Sequence, residues 1–245
     1  MINNIVNSKF FAGLTATVAF TGVIANAGVA NAQTLTFTDT FDLAPTDITD
    51  ALLSIEKFDG SLGTLKNVTV GFDGQIVGNA LVESLDAQAQ TLTFTLGGTL
   101  SLLGDDILNN PLFEETLSAS DSFLATAHDL RIDFGGTSGQ SFNGLTATLN
   151  GERYYNDQAV LDFFTGVGNA EFLFSANTNS NVTGAANIAS IISTQAGASV
   201  TVTYQYEEFG GDVLSESVPE PSSILGLGLF AGAGILSKKK LSKKA

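Results

Sequence analysis

The chain carries a single imidazole, His128, with no cysteine and no tryptophan, so its capacity for chemistry rests on 25 carboxylates. A serine hydrolase needs an imidazole base beside a nucleophile held on a sharp turn, and no Gly-x-Ser-x-Gly segment occurs. His128 shares parity with Leu130, Ile132 and Phe134. That spacing predicts a strand with the imidazole near its end on the inward face, in a structural role rather than as a base. Two carboxylates alone can serve a glycosidase, but nothing in the spacing selects a pair, and Tyr154, Tyr155, Tyr204 and Tyr206 read as strand residues rather than as stacking platforms for sugars. No catalytic residue is therefore assigned. Calcium is the one metal the residues invite, because it takes about six to eight oxygens from carboxylates, amides and turn carbonyls. Asp105, Asp106 and Asn109 form the densest such set, although they lack the EF-hand spacing and can equally form a solvated acidic loop. The expectation is a protein without a cofactor, calcium being the alternative.

The elements that must position these residues read as strands. Apolar residues alternate with Thr, Asp, Asn or Gln at Leu35 and Phe37; at Val68, Val70 and Phe72; at Leu92, Phe94 and Leu96; at Leu130, Ile132 and Phe134; at Leu145, Ala147 and Leu149; and at Val200, Val202, Tyr204 and Tyr206. Period two with one polar face predicts half-buried antiparallel strands. Phe163-Phe164 and Phe172-Leu173-Phe174 are apolar pieces that fit either core strands or helix fragments. Asp59-Gly60, Asp73-Gly74, Asn143-Gly144 and Asn150-Gly151 read as hairpin or loop signals. Residues 104–123 show no sustained period and predict a long loop or a short helix, the place to look for a binding rim. The whole predicts an all-β domain, an antiparallel β-sandwich of jelly-roll or immunoglobulin-like kind.

All carboxylates but Glu220 lie between residues 33 and 217, where only Lys57, Lys66, Arg131 and Arg153 oppose them. The segment is thus more acidic than the −15 of the whole chain. Such a surface repels nucleic-acid phosphates and anionic lipid, which excludes nucleic acid as a partner and leaves cations and neutral polymers. Exposed edge strands in a Thr-rich domain also admit self-association in a matrix.

The two ends have a different character. Residues 1–32 run from a polar opening with Lys9 through an apolar stretch to Ala30-Asn31-Ala32, the pattern of a secretory signal peptide cut between Ala32 and Gln33. An uncleaved anchor is the competing reading. Residues 215–245 contain Pro219-Glu220-Pro221, an apolar Gly-rich stretch from Ile224 to Leu236, and a basic cluster of Lys238, Lys239, Lys240, Lys243 and Lys244. A helix over 222–237 rises about 24 Å, a marginal span of a hydrocarbon core of about 30 Å. The lysines after it act as a stop-transfer signal on the cytoplasmic side. The domain of residues 33–214 is then outside.

Those three parts, in that order over residues 218–245, resemble the PEP-CTERM sorting signal, which exosortase-type enzymes recognise and process. The resemblance implies removal of the tail near Pro219-Glu220-Pro221 and release or re-anchoring at the envelope, in bacteria that make exopolysaccharide. An ordinary C-terminal anchor containing a Pro-Glu-Pro turn is the alternative.

A second resemblance lies in Leu53-Ser54-Ile55-Glu56-Lys57-Phe58-Asp59-Gly60-Ser61-Leu62-Gly63-Thr64-Leu65, leading into Val68-Thr69-Val70. It is similar to the early segment of the choice-of-anchor E domain, a β-rich extracellular domain found with alternative sorting tails. Phe58, Leu62 and Leu65 are expected to tuck onto the sheet, with Asp59 capping its own turn.

The expected function is that of an exported, non-enzymatic cell-surface or extracellular-matrix protein, secreted and held transiently at the inner membrane, then processed through its tail in association with exopolysaccharide or biofilm. Its expected partners are signal peptidase, an exosortase-type enzyme, the membrane through the C-terminal helix before processing, and exopolysaccharide. The alternatives are a carbohydrate-binding module, acting through a sheet face or the 104–123 segment, and a carboxylate glycosidase.

Overall fold

The computed structural model describes residues 32–209. Among them are nine strands: β1 (Ala32–Pro45), β2 (Ile48–Glu56), β3 (Gly63–Ser84), β4 (Gln90–Leu103), β5 (Phe113–Ala125), β6 (Gly139–Tyr155), β7 (Asn169–Thr178), β8 (Asn181–Thr183) and β9 (Ile188–Glu208), with one helix, α1 (Gln158–Phe164). One sheet runs β1-β9-β3-β6 and the other β2-β7-β4-β5, with short β8 also on β4. The pairing follows one rule. Leaving β8 aside, the first strand pairs with the last, the second with the second-last, β3 with β6 and β4 with β5, all antiparallel. That is a long hairpin rolled up into two sheets, the jelly-roll form of the all-β sandwich.

Alternation builds the core. In β3, Val68, Val70, Phe72, Ile76, Ala80 and Val82 are buried, while residues of the opposite parity from Thr69 to Leu81 are exposed or half-buried. β4 contributes Leu92, Phe94, Leu96, Leu100 and Leu102 from the opposite sheet, and β9 contributes Val200, Val202, Tyr204 and Tyr206. Phe72 stacks on Phe113 at 5.5 Å and tilts against Phe174 at 6.2 Å, joining the layers. Each such fully buried ring is worth about 1.5–3 kcal/mol, which lets a chain without disulfides hold its fold.

Three expectations give way. The run Leu130-Ile132-Phe134 is no strand: it lies in the loop between β5 and β6, with Leu130 88% and Ile132 59% exposed. The 104–123 segment is a loop only as far as Leu112, enclosing a 3₁₀ turn at Asp106–Leu108, and continues as edge strand β5. Its inward parity at Phe113, Leu117, Phe123 and Ala125 is interrupted by exposed Glu115 and Asp121, which an edge strand tolerates because solvent reaches them. Asp73-Gly74 and Asn150-Gly151 sit inside β3 and β6 rather than at turns. Gly151 is there for space, since a Cβ would fall 2.6 Å from the Phe113 ring. Asn143-Gly144 marks a bulge in β6 opposite the Gly78/Ala80 shift in β3, and only Asp59-Gly60 forms a turn between strands.

The strands fix what lies at each end. At the end where β3 begins, Phe58 is fully buried against Tyr204, Tyr206 and α1, its N–H donating to the Phe164 carbonyl at 2.8 Å. Leu65 is buried as expected, but Leu62 stays 43% exposed, because the Asp59 turn directs it outward. At the far end, where β3 stops at Ser84, the loop from Thr126 to Ser138 folds back across the strand.

Candidate functional site

The expected calcium residues come together at the aromatic end, in one 3₁₀ turn. Asp105 N-caps the 3₁₀ turn by accepting from the Ile107 N–H at 3.1 Å. Asn109 takes the left-handed C-cap position at φ 63°, its N–H donating to the Asp106 carbonyl. Asn110 donates to and accepts from the Gly104 backbone at 2.8 Å, and Tyr155 donates to the Leu108 carbonyl at 3.1 Å. Asp59 likewise accepts from the Ser61 N–H at 2.8 Å, and that bond holds its carboxyl below the usual range. It caps its own turn, as the sequence predicts.

The opposite end is built differently. Glu83 has the outward parity of β3, the parity of exposed Leu81 two residues earlier, yet it is fully buried. The cover is the 126–138 loop. Thr126 and Thr137 close its neck through an N–H to carbonyl bond of 2.9 Å and a hydroxyl pair at 2.8 Å. Ser84 donates to the Ser138 carbonyl at 2.9 Å, and the His128 N–H donates to the Asp86 carbonyl at 2.8 Å. Gly139 pairs with Glu83, and any Cβ there would fall 2.5 Å from Glu83 Oε2. Bulk at that position is therefore incompatible with where the carboxylate sits.

Neither oxygen of Glu83 has a hydrogen-bond partner, nor do His128 Nδ1 and Ser138 Oγ, all of them buried atoms. A ligand atom from each of Glu83, half-buried His128 and exposed Asp129 lies within 4.8 Å of the other two. Asp129 Oδ1 accepts from the Arg131 N–H at 2.9 Å, which orients the side chain. Asp86, beside them, is saturated: it accepts from the Ala186 and Asn187 N–H groups and from the Asn187 amide. Those bonds, the Ala186 one first, hold its carboxyl below the ordinary range. Among the described residues the one ion pair, Lys66 with Glu207 at 2.9 Å, lies elsewhere. The sequence reading singled out His128 but missed Glu83 and Asp129. Nothing in the sequence marks Glu83 as buried, since it has the outward parity of its strand.

A third feature is the outer face of the β1-β9-β3-β6 sheet. Thr40, Asp42, Asp73, Gln75, Thr148, Asn150 and Ser199 line a groove of about 700 Å³. A second hollow of about 560 Å³ adjoins it, lined by Thr69, Gly71, Asp73, Glu152, Thr201 and Thr203. Tyr154, 60% exposed and two residues beyond Glu152 on β6, donates its hydroxyl to Asn67 Oδ1. Tyr155 is half-buried, while Tyr204 and Tyr206 are core residues.

Of the terminal residues singled out, Ala32 opens β1 and Gln33 pairs with Tyr206. The rest of the leader, the Pro219-Glu220-Pro221 motif and the lysine cluster lie outside the described residues. No helix among the described residues is long and apolar enough to cross a membrane.

No family model matches the chain, and no curated protein is similar to it. A solved structure described as that of infectious bursal disease virus Gt strain is similar at 10% identity over 90% of this chain, with a TM-score of 0.14. The match spans about half of that chain, 51%. At that score the likeness carries no argument.

Proposed function

We propose that the chain is an exported, non-enzymatic surface or extracellular-matrix protein whose sandwich is delivered outside the cytoplasm and processed at a PEP-CTERM type tail, in association with exopolysaccharide. The observation that carries this reading is the order of parts at the C-terminus: Pro219-Glu220-Pro221, the apolar 224–236 stretch and the terminal lysines, opposite an N-terminal leader ending at Ala32. The all-β domain between them supports it, being a fold that stands on its core without disulfides and presents a polar, acidic surface. The choice-of-anchor E resemblance of residues 53–65 points the same way. The test is the intact mass of the protein recovered separately from membrane and medium, beside a strain carrying Pro219→Ala and Pro221→Ala. Loss of both ends in the wild type with the tail retained in the variant is the expected result. A tail left uncut in both overturns the sorting reading.

The sheet-face groove favours a second reading, recognition of the exopolysaccharide itself. Hydroxyl, amide and carboxylate groups of Thr69, Asp73, Asn150, Glu152 and Thr203 line a hollow beside exposed Tyr154, a polar trough with one aromatic beside it. Saturable binding of purified polysaccharide, weakened by Tyr154→Ala, supports this reading. Flat titrations with several polymers end it.

A further inference from the structure

We infer that Glu83, His128 and Asp129 form a binding site for one divalent transition-metal cation, zinc being the best fit, which fastens the 126–138 loop to the end of β3. This goes beyond the sorting reading and does not depend on it. A carboxyl at 0% exposure with no donor on either oxygen, that of Glu83, is a costly arrangement, and a bound cation is a partner that would relieve it. No lysine or arginine is paired with it, the one ion pair of the described residues lying elsewhere.

What does face it is an imidazole with an unpartnered buried nitrogen and a second carboxylate, with ligand atoms from all three within 4.8 Å of one another. No hydrogen bond joins the three side chains. A spacing up to 4.8 Å suits groups on different sides of one ion, each about 2.0–2.2 Å from it. Two carboxylates and a neutral imidazole carry two negative charges, which a divalent cation cancels. The donor set selects the metal class. Imidazole nitrogen with carboxylate oxygen is a zinc-type set, whereas calcium prefers about six to eight oxygens.

The backbone is arranged to hold that geometry. Asp129 is oriented by the Arg131 N–H, His128 is pinned through its N–H to Asp86, and Gly139 leaves the space that Glu83 Oε2 occupies. The three ligands come from two segments far apart in sequence, the end of β3 and the β5–β6 loop. A bound ion therefore adds a side-chain link to the backbone hydrogen bonds that already join the two, in a protein with no cysteine to make such a link.

The test uses the purified full chain in detergent, stripped with a chelator and titrated separately with Zn²⁺, Mn²⁺ and Ca²⁺ by calorimetry and thermal unfolding. The expected result is one site for Zn²⁺, with Tm rising by roughly 5–10 °C at a hundredfold excess over Kd. His128→Ala and Asp129→Asn each weaken binding at least about tenfold. Glu83→Gln abolishes the Zn²⁺-dependent shift, which a merely structural glutamate would leave in place. If Glu83→Gln fails to fold, the other two variants decide, since both change side chains that reach the surface. An unchanged Tm with all three cations, a response to Ca²⁺ alone, or wild-type Zn²⁺ affinity in His128→Ala and Asp129→Asn overturns the site.

Discussion

The two ends of the sandwich are closed by different chemistry. Where β3 begins, Phe58, Phe164, Tyr204 and Tyr206 pack ring against ring, and the Tyr204 hydroxyl donates to the Glu56 carbonyl at 2.8 Å. Of the acidic residues there, Asp105 and Asp59 are engaged by N–H groups of their own turns. Where β3 ends, a loop covers Glu83 and leaves its carboxylate with no donor at all. The lesson is that acid density does not locate a cation site. The 104–110 segment crowds its acids and amides into one stretch of sequence and uses Asp105 and Asn110 to close its own turn; the far end gathers its acids from separate segments, and one of them is buried and open-handed.

Substitutions that break or sharpen this contrast fall in a clear order. Phe58→Ala, at the aromatic end, costs about 3–5 kcal/mol in denaturant unfolding, because a fully buried ring leaves a cavity. Glu83→Gln in the metal-free chain changes stability by no more than about 1 kcal/mol, because it exchanges one buried, unpartnered polar head group for another of the same size. A ring the core needs and a carboxyl it leaves unpartnered are the contrast in its plainest form.

Tyr204→Phe costs about 1 kcal/mol at neutral pH through the lost bond to Glu56. Burial, with the nearby Glu56 charge second, pushes the Tyr204 phenol well above its ordinary value. The stability drawn from the neutral phenol is therefore complete below the unfolded value of about pH 10 and is lost as pH rises towards the folded one. The wild type accordingly loses stability more steeply than Tyr204→Phe in alkaline unfolding scans. Asp105→Ala removes an exposed cap for about 0.5 kcal/mol and leaves Zn²⁺ binding untouched, which separates the capping acids from the ligating ones.

Asp86→Asn has the smallest effect. The Asp86 carboxyl is held below its ordinary range, so its contribution is present above the unfolded value and fades as pH falls through the folded one. NMR titration should place its midpoint below that of an unperturbed aspartate, with the shift changes of the variant confined to residues 184–188 and the neighbouring loop.

Much of the sandwich is legible in the sequence. β1, β3, β4 and β9 alternate cleanly because each puts one face in the core and one in solvent, and Asp59 announces its turn. β5 is hidden because Glu115 and Asp121 occupy inward parity at an edge where water reaches them. The 128–134 alternation misleads for the opposite reason, since a loop can carry apolar residues at period two and leave Leu130 almost fully exposed. The Glu83 site is illegible because it depends on the register that sets Glu83 opposite Gly139 and on the loop that folds back from there. Parity alone puts Glu83 on the wet face.

Native mass spectrometry of the protein recovered from the growth medium tests the account most directly, because termini and ion are read independently from one spectrum. The account predicts a chain beginning at Gln33, ending near Pro219-Glu220-Pro221 and carrying one divalent cation that is lost in Glu83→Gln. A chain with its tail intact would contradict the sorting reading, and a processed chain without the ion, in buffer supplied with Zn²⁺, would contradict the metal site.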